Sequence, residues 1–272
     1  MKNVKKENYT SGYALITGAT GGLGRAFANA IAKRRCNLLL TGRSEEKLIA
    51  LKNELLEKYA LNSVQIYAVD LTEEGGRYAF MERIRAAGYK IRLLVNAAGV
   101  DVQKALAEYT QEKIAFQCRV NFEAAVSLCR FTIEQRAERL EIVNISSVSG
   151  IYPMPYFAIY SATKAALTSF SVALREELKG KNAAVTAILP GAMPTREDIK
   201  EQIKGQGIWG KLAAKSPQSV AEYSLKAVGK NKAKVIVGFW NKCMRFTTAV
   251  LPQRWKLKFI AKRWSKISKD SF

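Results

Sequence analysis

The chain of 272 residues contains no histidine and only four cysteines, Cys36, Cys118, Cys129 and Cys243, none of them in a C-x-x-C pair. Histidine and cysteine are the usual protein ligands of zinc, and histidine is the commonest general base. The sequence therefore offers almost no material for a zinc site or a histidine base, and we expect no bound metal. Dispersed cysteines also favour a reducing, cytoplasmic setting.

Acidic residues are scarce beside basic ones: 23 Asp and Glu stand against 44 Lys and Arg, a formal net charge of +21. Long apolar runs are also lacking, so we expect no segment that spans a bilayer. Lys2, Lys5 and Lys6 are followed by polar residues, which does not match a secretory signal. Hydrophobic residues still make up 48% of the chain, enough for the core of one soluble domain.

Glycine is concentrated in one turn near the amino end. An apolar segment at residues 13–17 is followed by Gly-Ala-Thr-Gly-Gly-Leu-Gly at residues 18–24 and then by a helical run. A strand, a glycine turn and a helix N-terminus together form a pyrophosphate site, because unpaired backbone N–H groups face the anion. The spacing is T-G-x-x-x-G-x-G, and the alternative is a plain turn between a strand and a helix.

Tyr160 and Lys164 stand four positions apart, so on a helix their side chains share one face. A neighbouring ammonium favours the phenolate, and we expect it to lower the pKa of the tyrosine from its reference of about 10. Such a phenol can exchange a proton with an alcohol or a carbonyl near neutral pH. Taken alone, the pair is also common on solvated helix surfaces.

Apolar segments alternate with amphipathic helical segments along the whole chain. Strands are predicted near residues 13–17, 37–41, 64–69, 91–96, 141–146, 184–189 and 234–238. Such alternation is typical of a parallel sheet with helices on both faces. The predicted fold class is therefore α/β, a Rossmann-type doubly wound parallel sheet of about seven strands, followed by a basic amphipathic C-terminal extension. We expect one catalytic domain at residues 1–240 and the extension at 241–272.

In this order the motifs resemble the short-chain dehydrogenase/reductase family, from about Tyr13 to Gly238. The resemblance implies a catalytic tetrad of Asn121, Ser147, Tyr160 and Lys164, in which Tyr160 is the general acid or base. Lys164 would lower its pKa, Ser147 would orient the substrate oxygen, and Asn121 would hold a water of a proton relay. The family places its serine thirteen positions before its tyrosine, which favours Ser147 over the neighbouring Ser146.

The resemblance also implies where a dinucleotide binds. Asp70 would meet the adenine ring, and the loop at residues 190–195 would close over the nicotinamide. Ala97 replaces the second asparagine of the usual N-N-A-G, and we expect this difference to affect stability more than chemistry. The implied cofactor-binding residues are Gly18, Thr20, Gly22, Leu23, Gly24, Arg43, Asp70, Leu71, Asn96, Ala97, Gly99, Tyr160, Lys164, Pro190, Gly191 and Thr195.

The end of the second predicted strand indicates which dinucleotide is used. It lacks the acid that would bind a ribose 2′-hydroxyl, and Arg43 follows it instead. A guanidinium there suits a 2′-phosphate, so NADP(H) is the expected cofactor. The alternative is that Arg43 is a solvated loop residue beside Ser44, which would cap the next helix.

Nine basic residues and no acidic one lie between Lys242 and Lys269, with tryptophans and aliphatic residues among them. Leu257, Ile260, Trp264 and Ile267 share one face of the predicted helix. Three interpretations stay open for this extension: peripheral membrane contact through 242–269, an arm over the substrate mouth or a dimer interface, and docking of an acidic carrier protein or coenzyme A phosphates. Nucleic acid is not expected, because no recognition module is present.

The expected function is an NADP(H)-dependent oxidoreductase acting on a small hydrophobic carbonyl or alcohol. A lid at about 195–216 and the apolar segment at 151–157 favour a 3-oxoacyl thioester, carried on coenzyme A or acyl carrier protein, or a lipid ketone. The alternatives are a hydroxysteroid dehydrogenase and a non-catalytic NADP-binding regulator. By the resemblance we expect a homodimer or homotetramer, in the cytoplasm or at a membrane surface.

Overall fold

The computed structural model describes residues 12–195, 199, 214–249 and 251–265. Its strands are β1 (Tyr13–Ile16), β2 (Asn37–Gly42), β3 (Val64–Ala68), β4 (Ile91–Asn96), β5 (Arg136–Ile145), β6 (Ala183–Leu189) and β7 (Lys234–Ile236). Its helices are α1 (Gly22–Ala32), α2 (Glu45–Lys58), α3 (Glu74–Ala86), α4 (Gln111–Cys118), α5 (Ala124–Glu134), α6 (Ala158–Glu177), α7 (Pro217–Gly229), α8 (Phe239–Ala249) and α9 (Gln253–Trp264).

The strands form one sheet in the order β3-β2-β1-β4-β5-β6-β7, and every neighbouring pair is parallel. The direction of strand succession reverses between β1 and β4. Ligands of doubly wound sheets bind in the crevice at such a reversal, beyond the carboxyl ends of the strands. The predicted α/β fold class is confirmed.

Strand β5 begins at Arg136, five residues before the predicted start at 141. Its first residues are charged, with Arg136 and Glu138 exposed, and they extend beyond the sheet's apolar centre. An apolar run therefore marks only the buried half of the strand, which explains why the prediction was too short.

Two apolar layers cover the sheet, and alternate residues of each strand serve them. In β1, Ala14 and Ile16 face the layer of α1, α2 and α7, whereas Leu15 faces the layer of α3, α5 and α6. Side chains alternate in this way because successive residues of a strand point to opposite faces. The two apolar layers pack against opposite faces of the sheet and so position the ends of its strands. Among the described residues, no helix is both long and apolar enough to cross a membrane.

Candidate active site

The turn between β1 and α1 is built on close backbone approach. Gly18 has a φ of +62°, and a Cβ on Gly24 would lie 2.0 Å from the carbonyl oxygen of Gly18. Gly21, the N-cap of α1, makes no side-chain hydrogen bond to the first N–H groups of the helix. The turn therefore has the shape and the free donors that a pyrophosphate requires.

The predicted closing loop lies against this turn. A Cβ on Gly22 would meet the Cβ of Thr195 at 3.0 Å, which places the threonine directly over the glycine turn. Gly191, in the same loop, lies beside the buried Asn241 of α8. Most of the lid predicted at 195–216 lies outside the described residues. The loop at 190–195 nevertheless connects the glycine turn with the C-terminal helices.

The two other predicted contacts of an adenosine moiety lie at the ends of β2 and β3. A Cβ on Gly42 would lie 3.3 Å from the Thr20 hydroxyl, so the end of β2 adjoins the glycine turn and Arg43, which is exposed, follows at once. Ser44 caps α2 by accepting from the N–H of Lys47 at 3.3 Å, as the alternative interpretation of this segment expected. Asp70 accepts from the backbone and side chain of Thr72 at 2.8 and 2.7 Å, which holds its carboxylate at the strand edge.

Asn96, at the end of β4, belongs to a buried polar network. Its Nδ2 donates to Asn144 Oδ1 at 2.8 Å, and Asn144 donates to Ser171 Oγ at 2.9 Å. The network ties β4 and β5 to α6, and Nδ2 of Asn96 is used within the sheet. The backbone N–H of Ala97, which replaces the usual second asparagine, donates to Thr17 Oγ1 at 3.0 Å.

Asn121 lies in a π-helical turn, Arg119–Glu123, between α4 and α5. Such turns insert one residue into a helix and often occur at functional sites. The buried side chain of Asn121 accepts from the N–H of Val100 at 2.8 Å and donates to its carbonyl oxygen at 2.9 Å. A Cβ on Gly99 would lie 3.1 Å from Asn121 Oδ1 and 3.3 Å from Lys164 Nζ, so the absence of a side chain there leaves both groups accessible to each other.

Lys164 and Tyr160 lie one turn apart on α6, as their spacing predicts. Lys164 Nζ donates to the carbonyl oxygen of Ile145 at 2.9 Å. Ser147 is hydrogen-bonded to Tyr160. Ser146, by contrast, is bonded to the Lys164 carbonyl oxygen and to Thr168 Oγ1, both at 2.7 Å. The geometry therefore favours Ser147 over Ser146 as the serine that faces the reacting groups.

The electrostatics of this pair differ from the expectation. Burial raises the pKa of Tyr160 above its ordinary value, the Asp101 carboxylate raises it further, and the hydrogen bond from Ser147 lowers it. Burial lowers the pKa of Lys164 to about 8, against an opposing effect of Asp101. The expected lowering of the tyrosine's pKa by the lysine is thus wrong for these groups as they stand, because desolvation penalises both charged forms.

Asp101 is the residue near the reacting groups that the sequence did not reveal. It follows the Asn96–Gly99 motif by two positions, on the loop at the carboxyl end of β4. Its carboxylate acts on both Tyr160 and Lys164. The only signal was its position, since an acid just beyond a strand that carries a site motif lies at the same edge of the sheet.

Helix α9 reaches Tyr160 through a stack of rings. The Phe157 ring lies 4.3 Å from the Tyr160 ring at 20°, and 6.1 Å from the Trp264 ring at 15° between the planes. The indole of the C-terminal extension is therefore the outermost ring of a stack that ends on Tyr160. The sequence placed Phe157 in the pocket wall and Trp264 on the apolar face of the last helix, but gave no signal that the two meet.

Two cavities border both α9 and the segment around residues 151–159. The first, of about 290 Å³, is lined by Lys104, Ala105, Leu106, Tyr109, Pro155, Tyr156, Ala158, Ile159 and Ala261. The second, of about 370 Å³, is lined by Ile151, Tyr152, Pro153, Gln253, Lys256, Leu257 and Ile260. Both are mainly apolar with one lysine each, and α9 forms a wall of both. Within the described part of the chain, no cluster of three or more Cys, Asp and Glu side chains could hold a metal ion.

The parallel sheet, the glycine turn and the tyrosine–lysine pair at one edge define a dinucleotide-binding α/β protein with a proton-transfer site. A family model described as short chain dehydrogenase matches residues 12–204. The chain belongs to this family, a class of oxidoreductases that act on carbonyl and alcohol groups.

Known relatives of the chain include enzymes of lipid and sugar chemistry. The very-long-chain 3-oxoacyl-CoA reductase of Bos taurus is 34% identical over 227 residues, which cover 80% of this chain and 68% of the relative. The 17-beta-hydroxysteroid dehydrogenase type 3 of Homo sapiens is 32% identical over 67% of this chain and 59% of its own. The L-sorbose reductase of Gluconobacter frateurii, solved with NADPH and L-sorbose, has a TM-score of 0.76 at 28% identity, covering 85% of this chain and 96% of that one. The chain spans only 60% of the length of other 3-oxoacyl-CoA reductases that it matches.

Proposed function

We propose that this protein is an NADP(H)-dependent reductase of hydrophobic carbonyl compounds, with 3-oxoacyl thioesters or lipid ketones as the favoured substrates. The observation that carries the proposal is the hydrogen bond between Ser147 and Tyr160, with Lys164 one helical turn away and buried. These three groups and Asn121 lie at the sheet edge that also bears the glycine turn.

Two observations support NADP(H) as the cofactor. Arg43 is exposed at the end of β2, beside the glycine turn, where a 2′-phosphate could accept hydrogen bonds from its guanidinium. The solved L-sorbose reductase, similar over most of this chain, holds NADPH. When bound, the reduced nicotinamide supplies the hydride, and all other chemistry belongs to the chain's own residues.

In reduction, Tyr160 donates its phenolic proton to the substrate oxygen. Its raised pKa keeps the phenol protonated at neutral pH, which suits an acid. Ser147, already bonded to Tyr160, orients the same oxygen and stabilises the charge that develops on it. Lys164 keeps its ammonium below a pH of about 8, and a Cβ on Gly99 would lie 3.3 Å from its Nζ and 3.1 Å from Asn121 Oδ1. Asn121 positions the route by which the Tyr160 phenol regains its proton.

The substrate class follows from the walls of the site. Apolar and aromatic side chains line both cavities, which border the segment before Tyr160, and Lys104 and Lys256 each add one cation to a lining. This combination suits an extended apolar chain with an anionic carrier group, and the similarity to the bovine 3-oxoacyl-CoA reductase supports it. A hydroxysteroid is the second candidate, which the similarity to the human 17-beta-hydroxysteroid dehydrogenase favours.

The test is NADPH oxidation, followed by nicotinamide absorbance, across 3-oxoacyl thioesters of increasing chain length, long-chain ketones and steroid ketones, with NADH in parallel. Turnover on one class should fall about 10²- to 10⁴-fold in Tyr160→Phe, because the general acid is removed, while NADPH affinity stays unchanged. Tyr78→Phe, an exposed tyrosine of α3, is the matched control. Tight NADPH binding without turnover on any class would favour the non-catalytic regulator instead.

Assembly and location stay predictions. A homodimer or homotetramer through the helices that lead from Asn121 and Tyr160, α5 and α6, would leave the α9 side of the site free. Gel filtration with light scattering measures the oligomeric state directly, and a monomer at micromolar concentration would contradict the prediction.

A further inference from the structure

Helix α9 has two different faces. Its inner face, formed by Lys256, Leu257, Ile260, Ala261 and Trp264, is partly buried against the segment before Tyr160. Its outer face, formed by Arg254, Trp255, Lys258, Phe259 and Lys262, is exposed to solvent. At 100° per residue each set spans less than half of the helix, so the division follows from the sequence spacing and is not accidental.

The outer face is neither a normal solvated surface nor a normal protein interface. Trp255 and Phe259 are 60% and 69% exposed, one turn apart, and three cations flank them. A solvated face would not carry two bulky aromatic side chains, and the buried centre of a protein interface is depleted of lysine. Aromatic rings bordered by Lys and Arg are typical of the boundary between lipid headgroups and acyl chains.

Helix α8 also exposes large apolar side chains to solvent. Phe239 and Phe246 lie on one side of α8 and are 71% and 79% exposed, whereas Met244, on another side, is 46% exposed. Leu251, between the two helices, is also exposed. The sequence holds no acidic residue between Glu222 and Asp270, so nothing in this part of the chain offsets the positive charge.

We propose that the outer face of α9, together with Phe239 and Phe246 of α8, docks on an anionic lipid surface. The aromatic side chains enter the headgroup region, and the basic side chains pair with anionic headgroups, so charge and apolar area contribute together. Because the inner face of α9 borders both cavities, docking brings the mouth of the site to the lipid surface. The inference concerns binding and does not depend on the proposed reaction.

Co-sedimentation of the full chain with phosphatidylcholine vesicles, with and without phosphatidylglycerol, tests the proposal at physiological salt. We expect binding to the anionic vesicles and a partition coefficient at least about tenfold lower for Trp255→Ala/Phe259→Ala, which loses two apolar anchors. The matched control is Ile49→Ala/Tyr78→Ala, two exposed apolar residues on other helices, which should bind as the wild type does. Both variants should keep the wild-type melting temperature and turnover of a short soluble substrate.

The contribution of charge is tested separately. Lys258→Glu/Lys262→Glu should lower partitioning by at least about tenfold, since each cation near an anionic surface contributes about 1 kcal/mol. Lys226→Glu/Lys230→Glu, on and just after α7, changes net charge equally and should have a much smaller effect. The proposal would be overturned if salt abolished vesicle binding while Trp255→Ala/Phe259→Ala left it unchanged. Such binding would be general adsorption of a cationic protein. Binding to soluble polyglutamate provides a second check. If Trp255→Ala/Phe259→Ala weakens this binding as much as it weakens vesicle binding, the proposal is overturned in favour of an acidic protein partner.

Discussion

Tyr160 divides the candidate site into two sides that are built in different ways. On the cofactor side, backbone approaches backbone: Gly24 lies against Gly18, and Gly18 against Ala98. On the substrate side, side chains from distant parts of the chain meet, with Phe157 stacked between Tyr160 and Trp264. The first kind of contact tolerates no added atom, whereas the second tolerates exchange of one apolar side chain for another. We therefore expect substitutions on the first side to have larger effects than substitutions on the second.

The largest effect should come from adding a single methyl group to the cofactor side. In Gly24→Ala the new Cβ would lie 2.0 Å from the Gly18 carbonyl oxygen, so the backbone of the turn must move. We expect the free energy of unfolding to fall by roughly 3 kcal/mol, measured by urea denaturation. A displacement of about 1 Å should also lower turnover about a hundredfold.

Gly75→Ala is the control for this substitution. Nothing lies within 4 Å of a Cβ at that position of α3, so the change should stabilise the protein by about 1 kcal/mol through helix propensity. A Gly24→Ala variant as stable as Gly75→Ala would show that the cofactor side is not built on backbone approach.

The next largest effect concerns the choice of dinucleotide. Arg43→Ala should weaken NADPH binding about 10- to 100-fold, the loss of a charge-assisted hydrogen bond, and leave NADH binding unchanged. Fluorescence titration of the reduced nicotinamide measures both affinities. Lys47→Ala, which removes another exposed cation from the start of α2, should leave both affinities as they are. Equal losses for the two cofactors in Arg43→Ala would contradict a role in binding the 2′-phosphate.

A smaller effect is expected on the substrate side. Trp264→Ala removes the outer ring of the stack, so KM for long-chain substrates should rise about two- to tenfold while kcat for short ones is unchanged. Trp255→Ala, on the outer face of the same helix, is the matched control and should leave soluble-substrate kinetics unaltered. If both tryptophan variants behave alike, α9 is not a wall of the site.

The smallest effect is a shift in pH dependence. The Asp101 carboxylate raises the pKa of both Lys164 and Tyr160, so Asp101→Asn should lower both. Lys164, with a pKa of about 8, then loses its proton at lower pH, and the alkaline limb of kcat/KM for reduction should move to lower pH. A pH profile of the variant beside Glu108→Gln, an exposed acid of the following loop, measures the shift. Movement to higher pH would contradict the assigned influence of Asp101.

The local parts of this molecule could be predicted because they depend on residues close together in the chain. The glycine turn needs a strand, a helix start and small residues within one short segment, and the Tyr160–Lys164 pair needs only helical spacing. The strands followed from runs of apolar residues, with β5 as the exception, because the charges of its first residues hide its start. For these elements neighbouring residues carry the whole physical requirement.

Only the tertiary structure decided the rest, because the contacts in question join residues that are far apart in the chain. It brought Asp101 to the reacting pair and buried that pair, which reversed the expected direction of the tyrosine's pKa, since desolvation cannot be read from spacing. It also showed which aromatic residues of α9 turn inward and which outward. The sequence by itself determined the fold, the tyrosine–lysine pair and an amphipathic basic last helix. The packing of that helix decided that Trp264 stacks on Phe157, while Trp255 is left exposed on the surface.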